Sequence, residues 1–149
     1  MIKIVLSVFF IFFNCLQSQI DPNPDRFYLS DDGDELYIKD FLDWDKKNTF
    51  EKNGILFIGS SSIRKWKTSE YFNYKSIINR GFGGSHISDI NHYFNTIILT
   101  YSPKIIVFYA GDNDIAGKKG PDQVLEDYIE FVGLVKKNIK QARIIYLPI

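Results

Sequence analysis

The chain has 149 residues, enough for one domain with a real core and too few for two. Its 45% hydrophobic and 24% charged residues are ordinary for a globular protein, and a formal net charge of zero without a basic block argues against a nucleic-acid partner. With 1 Cys, an intrachain disulfide and a cysteine-based metal cluster are excluded, and neither a metal nor a cofactor is expected.

Residues 1–18 have the layout of a secretory signal peptide: Lys3, an apolar run from Ile4 to Phe13 broken only by Ser7, then polar Gln17-Ser18-Gln19. The run is too short for a comfortable transmembrane span. Secretion or export to the periplasm follows as an expectation. A lipoprotein anchored through Cys15 is the second reading, because Phe13-Asn14 ahead of it lacks the small residues such signals prefer. Residues 19–35, with Pro22, Pro24 and the acidic Asp31-Asp32-Gly33-Asp34, read as an exposed lead-in. The folded domain is assigned to residues 36–149. It opens on a helix over Leu36 to Asp45, with Phe41 and Trp44 pointing inward.

Ile55-Leu56-Phe57-Ile58 is a short apolar run, read as a strand buried on both faces, and Gly59 stops it. Ser60, Ser61 and Ser62 occupy the turn before a helical segment. A serine there either caps the helix or stands at the sheet's carboxyl edge, where open α/β sheets bind ligands. Ser69 to Phe72 predicts a helical turn and Ser76 to Asn79 a second strand. In Asn79-Arg80-Gly81-Phe82-Gly83-Gly84-Ser85, the glycine spacing fits neither a P-loop nor a dinucleotide fingerprint. It suits a loop that brings backbone N–H groups close to a reacting oxygen. Ile87, Ile90, Phe94, Ile97 and Ile98 predict one helix. Beyond Pro103, Ile105 to Tyr109 is a third buried strand, followed by Ala110-Gly111-Asp112-Asn113-Asp114. Gly117 to Gly120 is a loop. Pro121 starts a long helix whose acids lie early and lysines late, as the helix dipole favours, and Arg143 to Leu147 opens a fourth strand. Strands alternating with helices imply a parallel sheet covered on both faces.

Each of the three polar stretches lies just past a strand, so a parallel sheet gathers them along one edge. Together they resemble the SGNH or GDSL hydrolase family, and within it the branch similar to platelet-activating-factor acetylhydrolase. The resemblance covers roughly residues 45–149. It implies a three-layer, flavodoxin-like α/β fold with helices on both faces of the sheet. It also implies that Ser61 is the nucleophile, and that Ser61, Gly84 and Asn113 donate to the oxyanion. Read from its residues alone, Asn113 also suits a turn, but its place after the third strand favours the catalytic role. Ser60 stands where the commoner family pattern has Asp.

A serine nucleophile needs a base, which the family takes from an Asp-x-x-His motif near the C-terminus. Asp89-Ile90-Asn91-His92 imitates that motif but falls on a predicted helix between the second and third stretches, and His86 stands where the family does not place a base. The sequence therefore reads as a family member whose C-terminal part is missing. The expectation is a serine esterase of small acyl, including O-acetyl, esters on small-molecule or carbohydrate substrates, with the chain as given inactive. The alternative is a non-catalytic carbohydrate-binding or adaptor domain that keeps the fold.

Overall fold

A computed structural model describes residues 21–28, 37–73 and 76–149. The expected signal peptide, residues 19–20 and 29–35 of the expected lead-in, and Leu36 lie outside the described residues. The strands β1 (Ile55–Gly59), β2 (Ile77–Asn79), β3 (Ile105–Tyr109) and β4 (Arg143–Tyr146) form one parallel sheet in the order β2-β1-β3-β4. Ile55 pairs with Ile77 on one side and Ile105 on the other, and Ile105 pairs with Arg143.

The helices α1 (Ile38–Lys47), α2 (Ser61–Lys65), α3 (Thr68–Tyr71), α4 (Ile87–His92), α5 (Phe94–Ile97), α6 (Asp112–Ala116) and α7 (Pro121–Asn138) make the other layers. Alternation along each strand splits the core in two. Leu56, Ile58, Ile106 and Phe108 meet Phe41, Ile90, Phe94, Ile97, Phe131 and Val135 on the larger face. Phe108 stacks on Phe131 with ring centroids 4.2 Å apart. On the other face Phe57 and Val107 pack with Ile63, Trp66 and Phe72, which follow β1. The crossover from β1 to β2 thus runs on one face and those from β2 to β3 and β3 to β4 on the other, so the winding reverses between β1 and β3. That reversal is the place where open α/β sheets bind their ligands.

Three expectations change. The helix expected through Ile98 is broken at Tyr93 (φ −89°, ψ 9°) and again at Ile98, giving α4, α5 and a 3₁₀ turn at Leu99–Tyr101. The apolar spacing reports which side is buried, not whether the hydrogen-bond ladder is continuous. Phe41 is buried, but Trp44 is 40% exposed. Residues 21–28 are mostly exposed, as expected, but they are anchored and structured: Pro24–Phe27 is a 3₁₀ turn, the buried Phe27 packs edge-on against Phe82 at 5.0 Å, and Tyr93 Oη donates to the Pro24 carbonyl.

Candidate active site

Gly59 ends β1 with φ +151°, and a Cβ there would lie 1.8 Å from the Tyr109 carbonyl oxygen. Only glycine lets β1 and β3 stay side by side to their carboxyl ends, where the Ser60 N–H donates to the same carbonyl at 3.1 Å. Ser60 then stands at the N-cap of α2 and Ser61 at its first position. Ser60 is fully buried, makes no side-chain cap and directs its hydroxyl to Asp112 Oδ2 at 3.4 Å. The capping role open in the sequence is therefore not the role of Ser60. Ser61 is half-buried, Ser62 is exposed, and among the described residues Ser61 Oγ makes no hydrogen bond.

The loop after β2 is tied down residue by residue. Asn79 donates through Nδ2 to the Ile63 and Trp66 carbonyls, and its Oδ1 accepts the Gly81 N–H. Arg80 is held at the far side by Tyr101 Oη at 2.7 Å and Asp45 Oδ1 at 2.6 Å. Burial, with the Asp45 carboxylate beside it, raises the Tyr101 phenol above its ordinary range, so it stays protonated and donates to Asp45. At Gly81 a Cβ would lie 2.4 Å from the Arg64 backbone nitrogen, and the Phe82 N–H donates to the Gly59 carbonyl at 3.0 Å. Gly84 differs: a Cβ there meets nothing within 4 Å, but its φ is +75°. Gly81 is needed for close approach and Gly84 for a left-handed backbone.

Asn113 is not in an isolated turn; it is the second residue of α6, which starts after Gly111 (φ +118°). Its Nδ2 donates to the Ser85 carbonyl at 3.0 Å. A side-chain amide carries two N–H groups, so one binds the Gly84 loop and the other makes no hydrogen bond among the described residues. Hydrogen bonds thus link all three stretches in pairs: Ser60 to Asp112, Phe82 to Gly59 and Asn113 to Ser85. They meet at the carboxyl ends of β1 and β3. Beside Gly111 a cleft of about 500 Å³ opens between Ile87, Val124, Tyr128, Tyr146 and Ile149. A second hollow, about 610 Å³, is lined by Trp44, Asp45, Asn79 and Arg80 among others, and neither cavity is lined by Ser61, Gly84 or Asn113.

The imitation dyad does not form. Asp89 is buried, where it accepts the His86 N–H at 2.8 Å and pairs with Arg26 at 2.6 Å. Burial raises its carboxyl above the ordinary range, only partly offset by that N–H and by Arg26. His92 is exposed and lies edge-on to the Tyr93 ring at 4.7 Å. His86 is buried with Nδ1 3.9 Å from Asp114 Oδ1, beyond hydrogen-bond reach, and neither histidine bonds to Ser60, Ser61 or Ser62. The sequence reading passed over Asp112, Asp114 and Lys119. The acids' local signal was their place after a buried strand, which also describes a solvated turn, and Lys119 lies in a Gly-Lys-Lys-Gly stretch that reads as a loop.

No family model and no curated protein matches the chain. Solved structures do. A Streptococcus pneumonia protein assigned as a platelet activating factor superimposes with a TM-score of 0.68 at 23% identity, covering 75% of this chain and 52% of its own. A Bacteroides fragilis protein assigned as an acylhydrolase gives 0.64 at 22% identity, with coverages of 72% and 55%. A GDSL-like lipase from Bacteroides thetaiotaomicron gives 0.63 at 20%, with 73% and 56%. The chain has the SGNH hydrolase fold. It spans about half the length of the structures it matches. The parallel sheet and its layers are those implied by the resemblance of the three polar stretches, and the three loops lie together at the sheet's carboxyl edge.

Proposed function

We propose that the protein is a serine esterase in which Ser61 attacks the carbonyl of a small acyl ester. The observation that carries this reading is the linked set of loops at the β1–β3 reversal, with Ser61 opening α2 and the second N–H of Asn113 unspent. In the proposed reaction Ser61 Oγ bonds to the carbonyl carbon and its proton passes to a base. The carbonyl oxygen takes the negative charge and is met by the backbone N–H groups of Ser61 and Gly84 and the Asn113 amide. Collapse of that species breaks the ester C–O bond, and the leaving alcohol takes up the proton. Water then repeats the sequence to free the acid and restore Ser61. The proposal assigns the base to a part of the protein outside the 149 residues, because neither described histidine bonds to the serine stretch.

Export is part of the proposal, resting on the pattern of residues 1–18. Acetyl xylan esterases are among the similar structures, at a TM-score of 0.55 and 18% identity, which supports O-acetyl carbohydrate esters as the first substrates to try. A non-catalytic carbohydrate-binding or adaptor role is the second reading, favoured by the lack of a histidine partner for Ser61 among the described residues. A short-chain nitrophenyl ester assayed with full-length protein separates the two. Turnover abolished by Ser61→Ala supports the esterase. Turnover untouched by Ser61→Ala moves the nucleophile elsewhere, and no turnover in any variant favours the binding role.

A further inference from the structure

Lys119 lies between α6 and α7 with its side chain only 2% exposed. An ammonium that deep persists only where partners compensate it. Its Nζ lies 2.6 Å from Asp127 on α7, 3.0 Å from Asp114 on α6 and 3.1 Å from Ser88 Oγ on α4, and it pairs with Asp21 of the N-terminal segment. Four separate stretches of chain therefore converge on one charge.

The contact with Asp114 reaches the candidate site. Asp114 directly follows Asn113 and is fully buried, and its two carboxylate oxygens receive the Ile87 N–H at 3.3 and 3.2 Å. Ile87 begins α4, three residues beyond Gly84. The Asn113 amide makes a parallel link to the Ser85 carbonyl one residue beyond Gly84. The position of Gly84 relative to Asn113 is thus set by two bridges, and one of them ends on the lysine. We propose that Lys119 is a positioning residue, whose ammonium, shared by Asp21, Asp114 and Asp127, fixes the Gly84 loop against Asn113 and so aligns the oxyanion donors. Its catalytic consequence rests on the esterase reading; the structural coupling does not.

A purely structural lysine would hold the fold together without affecting the donors, so the test needs a readout at the loop itself. Full-length protein and its Lys119→Met variant are compared by amide NMR at Gly84, Ser85, Ile87 and the Asn113 side chain, and by kcat and KM on p-nitrophenyl acetate. The expected result is displaced signals at those four positions and a kcat about tenfold lower or more, with KM within about threefold, since small misplacements can cost about 10²-fold in rate. Lys119→Arg, which keeps the charge but not three-way ammonium geometry, should be intermediate. If Lys119→Met does not fold, Lys119→Arg carries the same comparison, with Asp21→Asn as a milder variant at a partly exposed partner. Unmoved loop signals with unchanged kcat in a folded variant overturn the proposal. If the unsubstituted protein has no esterase activity, the esterase reading fails, and the NMR signals alone decide the coupling.

Discussion

At Gly59 a methyl group would overlap the Tyr109 carbonyl and the backbone would also be strained, whereas at Gly84 there is space and only the backbone objects. Gly59→Ala should therefore cost more than about 3 kcal/mol, overpacking and strain acting together, and Gly84→Ala about 1–2 kcal/mol. Urea midpoints at constant slope measure both, and equal losses would contradict the reading of Gly84. Asn113→Ala removes one amide bond to Ser85 and should cost only about 1 kcal/mol in stability. In the active protein its turnover should fall by about 10² to 10³, the usual effect of deleting one oxyanion donor. A normal rate in a folded Asn113→Ala protein would leave Asn113 as a helix-start residue and nothing more. In the sequence, Gly84 and Asn113 are singled out by the family resemblance, on loops that follow predicted strands. It did not show that Asn113 reaches Ser85, because a contact across 28 residues leaves no local pattern.

Among the elements, all four strands and α7 were legible, because a short apolar run between turn residues, or an 18-residue helix opened by proline, is a local property. The division of the 87–101 stretch was not, since its apolar spacing fits one helix as well as three pieces. The docked 21–28 segment was also missed. Its anchors are distant partners: Arg26 on Asp89 of α4, Asp21 on Lys119 and Phe27 on Phe82. Acidic and proline-rich stretches look solvated until those partners are known. Asp89 gives this docking a pH signature. Burial raises its folded-state pKa above the ordinary 3.8, against the lowering pull of His86 N–H and Arg26. In the window from about 3.8 up to that raised value the folded state holds more protons than the unfolded one, so the Asp89 contribution to stability declines as pH rises. Asp89→Asn keeps an acceptor for the His86 N–H and removes the titration. The melting-temperature advantage of the unsubstituted protein over Asp89→Asn should shrink as pH rises through that window and level off above it. An advantage that grows with pH would mean that the Arg26 pair outweighs burial.

For the whole molecule, reversing the winding between β1 and β3 brings together three loops that are far apart in sequence, while among the described residues the β4 margin of the sheet has no further partner. Among the described residues β4 pairs only with β3, and its Ile145 and Tyr146 are 44% and 42% exposed. On α7, Leu125 and Ile129 are 55% and 60% exposed, and Ile149 is 55% exposed beside the cleft at Gly111. On the face packed by Phe57 and Val107, α2, α3 and the residues around them lie near β1 and β2, and among the described residues Ile145 stays 44% exposed. An edge strand whose one charge, Arg143, stands at its first position and whose Ile145 and Tyr146 are partly in water is a template for pairing with another copy. The 149-residue chain produced by itself should consequently self-associate at micromolar concentration, with no turnover that depends on Ser61. Ile145→Lys places a charge at that edge, where the side chain is already half in water, so it should restore the monomer with little change in melting temperature. Sedimentation velocity on the two chains decides it. A chain that is monomeric without the substitution would mean that the β4 edge is protected by something other than pairing. A monomer obtained only with a large loss of stability would mean that Ile145 belongs to the core rather than to the edge.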